Sequence, residues 1–204
     1  MPFNINQFKQ SGLVYGGARP SLFNIRLTAP AGIGVDIVSL QKFTFVARAA
    51  EIPPAEIGTF EVPYFGRTIK IAGDRTFGNW AVTIMNDEDF SVRAMFELWN
   101  NAMNRLVSNV RDPALDNELY KTDIEVIQYA KDGSELRSYV LVGAFPFSVG
   151  NIGLDWSSTN AIEEFAVTFA YDFWVPNVES TTFKAGGVNI YGAQAVTDGP
   201  LGPA

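Results

Sequence analysis

The chain has 204 residues, 47% hydrophobic and 18% charged, and carries a formal net charge of −7. This is the composition of a globular protein of one domain, or one domain with tails, and no apolar run approaches the ~18 residues that suggest a membrane span. Cysteine and histidine are both absent, which excludes disulfides, thiolate or imidazole metal sites, thiol nucleophiles and every Ser-His triad, while the negative charge argues against a protein that grips phosphates.

The N-terminus, "MPFNINQFKQSG", lacks a basic region followed by an apolar stretch. A secretory signal is therefore not expected, and the chain is expected to be made and folded in a cytoplasm. Residues 1–19 mix Phe3, Ile5, Phe8, Leu13, Val14 and Tyr15 with Gly12, Gly16 and Gly17, and read as an arm, either a floppy tail or, as its apolar content suggests, ordered at least in part against a neighbour. "SLFNIRL", Ser21 to Leu27, alternates as a strand, with Phe23, Ile25 and Leu27 opposite Leu22, Asn24 and Arg26. "QKFTFVARA" reads as another, with Phe43 and Phe45 opposite Lys42 and Thr44.

Glu51 to Gly66, "EIPPAEIGTFEVPYFG", reads as a long Pro-containing connection. It carries Ile52, Pro53, Pro54, Ile57, Phe60, Val62, Tyr64 and Phe65, an apolar surface that would be a liability in a free monomer, and is expected to protrude into another subunit rather than to fold back on its own core. "RTIKIAG" and "WAVTIM" read as strands, Arg67–Ala72 and Trp80–Met85, joined by a turn at Gly73–Asp74. Asp74 and Arg75 are expected to make a charge-assisted contact, within the turn or across a subunit boundary, with the boundary favoured. Phe77 and Trp80 would anchor the turn on the helix or core.

One segment has helical spacing: Phe90, Val92, Ala94, Met95, Phe96, Leu98, Trp99 and Met103 predict a helix over about residues 88–106. The acidic Asp87–Asp89 cluster before it complements the helix N-terminus and lacks the ligand pattern of a calcium loop. "DIEVIQY", "LRSYVLVGAF" and "EEFAVTFAYDFW" complete the strands, the first two joined by a Lys131–Ser134 turn containing Asp-Gly. In the last, Phe165, Val167, Phe169, Tyr171 and Phe173 form one apolar face against Glu164, Ala166, Thr168, Ala170 and Asp172. Residues 176–204, rich in Gly and Pro, read as a C-terminal extension.

Two long blocks, "IKIAGDRTFGNWAVTIMNDE" (Ile69–Glu88) and "GAFPFSVGNIGLDWSSTNAIEEFAVTFAYDFW" (Gly143–Trp174), with "ARPSLFNIRL" (Ala18–Leu27), resemble the tail tube proteins of contractile-tailed, T-even-like bacteriophages. Residues beyond Val175 have no counterpart in that pattern, and Thr28–Leu40 looks longer than usual. The resemblance implies a mainly β fold, a two-sheet sandwich or barrel with one flanking helix, over residues 20–175. It implies hexameric rings stacked into a hollow tube, an enclosing sheath protein, a tape-measure protein inside, a baseplate initiator and a tail terminator at the ends. Double-stranded DNA would pass through without specific binding. The tube would be part of a virion, assembled in the host cytoplasm, with no enzyme activity, cofactor or metal.

Strands with one small or polar face suit a water-filled channel, and an acidic wall would repel phosphates. Asp123, Glu125, Glu164, Thr168 and Asp172 are the candidate channel-facing residues, an ordinary solvated face being the alternative for each. A tube of a related injection or secretion system, and a baseplate protein that initiates the tube, are the nearer alternatives. A carbohydrate-binding sandwich would stack sugars on Trp156, Trp174 or Tyr171, aromatics placed here in or beside an apolar strand and so expected in the core. A glycosidase would need a carboxylate pair, for which only Asp155 with Glu163 or Glu164 can be named and no spacing argues.

Overall fold

A computed structural model describes residues 17–177; the readings of most of both arms fall outside them. β1 (Phe23–Leu27) is followed by helix α1 (Ile37–Val46), β2 (Ala47–Ala50), β3 (Glu56–Tyr64), β4 (Arg67–Thr76) and β5 (Trp80–Met85). Helix α2 (Ser91–Met103) and the single turn α3 (Asn117–Tyr120) lead to β6 (Thr122–Tyr129), β7 (Glu135–Val149), β8 (Glu164–Ala170) and β9 (Phe173–Asn177). All strand pairing is antiparallel.

The main body is two sheets sharing the 15-residue strand β7. Its first half pairs β6 on one side and β9 on the other, with β1 beyond β6. Its second half pairs β8, followed by β5 and β2. The change of sheet falls at Gly143, where φ is +67 and an added Cβ would collide with the Asp172 carboxylate. Only glycine fits such a corner without strain. The same Asp172 explains why the expected last strand is two: its N–H donates to Val142 O at 3.0 Å, and the chain turns from β8 into β9 around β7. Phe165, Val167 and Phe169 keep the expected buried face, but Phe173 emerges exposed.

The inward residues of both sheets share one core with the two helices. Trp80, Val82 and Ile84 alternate inward from β5, and Ile25, Ile124, Val126 and Leu141 from the other sheet. Helix α2 closes it with Met95, Phe96 and Trp99, whose rings 96 and 99 stack at 6.4 Å while Phe96 meets Phe169 and Phe43 edge-on. The buried indole N–H of Trp99 donates to Tyr120 O at 2.9 Å, so the core leaves that donor satisfied.

Three expectations change. The expected strand over Gln41–Ala49 is extended only from Ala47, in β2; its first part belongs to helix α1, which Asp36 caps by accepting from the Ser39 amide at 3.1 Å, so that Ser39, Leu40 and Phe43 fall on one buried side. Phe45, assigned with Phe43 to one strand face, is instead exposed. Residues 56–64 are a strand rather than a connection. Gly73 and Asp74 are not a turn: β4 runs through them to Thr76, and together they stand opposite the single residue Gly58 as a β-bulge. Gly58 and Gly73 approach so closely that a Cβ on Gly73 would lie 3.2 Å from Gly58 O, the close backbone approach that glycine in a strand often marks.

Candidate functional site

β3 and β4 form a hairpin separate from the main sheets, and every residue of β3 is exposed. Tyr64 pairs Arg67 across the turn residues Phe65 and Gly66, both with positive φ, which is the type I′ geometry suited to the twist of a tight hairpin. The register puts Phe60 opposite Ile71 and Val62 opposite Ile69, with Tyr64 on the same side, while Thr59, Glu61 and Lys70 take the other. The ribbon is thus amphipathic, and both its faces meet water. Glu61 and Lys70 bridge the polar face at 3.6 Å. On the apolar face Phe60, Val62, Tyr64, Ile69 and Ile71 are each more than 40% exposed.

Two indoles fasten the approach to this hairpin. Trp80 Nε1 donates to Glu51 O at 2.6 Å, and Trp174 Nε1 donates to Pro54 O at 3.0 Å. Pro53 is buried between these anchors, whereas Ile52 and Pro54 remain exposed. Phe77, just after β4, rests on Tyr171 and Trp174 at ring distances of 6.1 and 6.5 Å. The hairpin therefore leaves the body from a fixed base. Of the residues expected to meet another subunit, Ile57, Phe60, Tyr64 and Phe65 are on the projecting ribbon, Asp74 and Arg75 at its bulge, and Phe77 at its root. No Asp74–Arg75 ion pair occurs among the described residues.

The candidate channel residues divide between the two sheets. Glu164 and Thr168 project from the outer face of β8, in a register that aligns Thr168 with Ala81 and Ser148, and Ala166 with Thr83 and Ala49. That face is paved with small side chains. Asp123 and Glu125 belong to β6 in the other sheet, and Asp172 to the corner between β8 and β9. Asp123 Oδ1 accepts from the Gly143 amide at 3.2 Å, and Lys121 Nζ reaches the Asp172 carboxylate at 2.7 Å. Glu125 lies 3.4 Å from Arg26, and Glu164 pairs with Arg48. Three of the four acids thus carry a cation partner, so the faces they occupy are less negative than the acids alone would make them.

The Asp87–Asp89 cluster is structural. Lys42 Nζ of α1 donates to Asp87 Oδ2 at 2.5 Å and to Asp89 Oδ2 at 2.6 Å, tying α1 to the start of α2. Asp89 Oδ1 also accepts from the Ser91 amide at 3.1 Å, satisfying a free N–H of the helix terminus. The Lys42 ammonium, then the Ser91 amide, hold the Asp89 carboxyl down at about 2. No group of carboxylates able to hold a metal occurs among the described residues, and no described helix is long and apolar enough to cross a membrane.

The rival sites do not assemble. Trp156, expected in the core, is fully exposed in the loop before β8, whereas Trp174 packs with Phe77 and Tyr139. Asp155 accepts from Ser157, Glu163 from Asn86, and Glu164 from Arg48, each engaged in local structure.

The family described as phage tail tube protein matches residues 18–177. Tail tube protein gp19 of Enterobacteria phage T4 is 35% identical over 160 residues, spanning 77% of this chain and 90% of that protein. Two solved structures share the fold at low identity. One is the tube-terminating cap of the anti-feeding prophage, with a TM-score of 0.57, 18% identity and coverage of 80% of this chain and 92% of that one. The other comes from the sheath–tube complex of an extracellular contractile injection system, with a TM-score of 0.53, 15% identity and coverage of 87% and 100%.

Proposed function

The chain belongs to the phage tail tube protein family, as a structural component of a contractile tail, and from that membership we propose that its copies close into six-membered rings that stack into the tube through which double-stranded DNA leaves. The observation that carries the proposal is the projecting hairpin, whose apolar face has no partner among the described residues. An exposed apolar ribbon of that length is an aggregation hazard in a monomer and an interface in a polymer.

The sheets support the same reading. The one formed by the second half of β7 with β8, β5 and β2 has two open margins among the described residues, at β2 and along Phe145–Val149. Joining the margin of one subunit to that of the next would turn six such sheets into a closed barrel without edges. We assign its face of Glu164, Ala166, Thr168 and Ala81 to the bore: small side chains leave the channel open, and Arg48 is held by Glu164 rather than offered to phosphates. Asp123 and Glu125, on the other sheet, then lie outside that wall.

A sheath would enclose the outer surface, a tape-measure protein would fill the bore during assembly in the host cytoplasm, and a baseplate initiator and a terminator would bound the stack. Catalysis has no part in this role. Purified protein examined by negative-stain electron microscopy should show rings or hollow tubes; a monodisperse monomer at every concentration and salt tried would overturn the proposal. The fold is shared with components of an extracellular contractile injection system and of the anti-feeding prophage, and DNA inside native particles is what would separate a phage tail from an injection device.

A further inference from the structure

Four residues other than glycine have positive φ among the described residues: Phe65, Phe90, Asn109 and Asn160. Asparagine tolerates this backbone because its short amide can bond locally; a phenyl ring has no such compensation. Phe65 and Phe90 are 90% and 45% exposed, so neither strained position is offset by burying its ring in the chain's own core. Strain kept at an exposed aromatic points to a contact made elsewhere.

Phe65 is the tip of the hairpin, set edge-on against Tyr64 at 4.6 Å. Phe90 opens α2 and, with Val46, Met85, Ala161 and Ile162, lines a cleft of about 560 Å3, within the ~300–1,000 Å3 of sites that enclose small ligands. The charges beside the two features are opposite. Arg67 follows the tip and Glu88 stands on the cleft rim, and neither has an ion-pair partner among the described residues. The other rim acids are engaged, Asp87 by Lys42 and Glu163 by Asn86.

We infer that the Tyr64–Phe65 tip of one copy seats in the Phe90 cleft of a neighbouring copy, with Arg67 set against Glu88. The inference rests on the tube reading and names the surface that receives the hairpin. A strand of 9 residues carries the tip roughly 30 Å from its base, far enough to reach another subunit. Because tip and cleft are different surfaces, each copy gives one contact and receives one. Such heterologous contacts propagate into rings or open stacks rather than stopping at a dimer.

The chain has no cysteine, so introduced pairs report without background. Phe65→Cys with Ile162→Cys, oxidised after assembly, should give an intermolecular ladder on a non-reducing gel at least about tenfold above either single variant, since a disulfide demands close approach. Intact tubes with no more cross-link than the single variants would overturn the inference and leave the tube reading standing. Failure of the unmodified protein to form tubes at all would remove the tube reading first. Should the cysteine pair not assemble, charge exchange decides. Arg67→Glu and Glu88→Arg should each cut tube yield about tenfold, as close interfacial charge pairs do, and the double variant should recover it. A folded double variant no better than the singles would overturn the contact.

Discussion

Lys42 stands between two carboxylates that the sequence offers as a plain acidic run, and its ammonium donates to both. With Lys42 bound, Asp87 and Asp89 both titrate below their ordinary range, Asp89 at about 2 against 3.8. A carboxyl with a depressed folded pKa adds stability above its unfolded value and loses it as pH falls toward the folded one. Urea unfolding should therefore show stability declining between pH 3.8 and about 2. Lys42→Met should be less stable at neutral pH and show a shallower decline across that window; an unchanged acid limb would mean that the lysine does not set these carboxyls. Gly143 argues the same way for backbone. With φ at +67 and the Asp172 carboxylate where a Cβ would go, Gly143→Ala should cost ~1–3 kcal/mol in thermal or urea unfolding. Adding Asp172→Ala should recover only part of the loss, because the φ strain stays.

At the scale of elements, the body was readable because burial dominates its pattern. The alternation of Trp80, Val82 and Ile84, and the helical spacing of Val92, Met95, Phe96 and Trp99, each describe one face against one core. The hairpin is harder to read, since neither of its faces is buried among the described residues. Its apolar positions, Phe60, Val62 and Tyr64 with Ile69 and Ile71, alternate correctly, yet Pro53, Pro54 and Pro63 suggest a connection, and Gly73–Asp74 suggest the turn. The signal that could have found it is the pairing of those two alternations about Phe65–Gly66. Helix α1 was hidden by β-branched Ile37, Val38 and Thr44, and its marker was the cap, Asp36 ahead of Ser39. The tip offers a test of opposed effects. Asparagine suits the first position of a type I′ turn far better than phenylalanine. Phe65→Asn should leave subunit stability unchanged or raised by a few tenths of a kcal/mol, while tube yield falls. Stability by urea unfolding and yield by sedimentation are read on the same preparation, and normal yield would mean that the ring at the tip has no receptor.

At the scale of the whole molecule, the proposal that a polymer of −7 subunits conducts DNA raises the question of what its wall offers to phosphates. The candidate wall acids were legible in sequence, but their partners were not, because Arg48 meets Glu164 and Arg26 meets Glu125 only after strands distant in sequence come together. With those pairs formed, a bore made by the β8 face, as proposed, would owe a low affinity for phosphate less to an excess of carboxylates than to its small neutral side chains. That view predicts sensitivity to a single added charge. Thr168 lies beside Ala81 and Ser148 on this face, so Thr168→Lys has room for its stem and repeats the ammonium in every subunit. Tubes should still assemble, and a short duplex should now co-sediment with them at ~50 mM salt and be released as salt rises, since phosphate contacts weaken steeply with salt. Glu125→Lys makes a larger change in charge on the other sheet, and should retain less duplex if the bore is formed as assigned. Equal retention by both variants, or greater retention by Glu125→Lys, would place the channel on the β6 face instead.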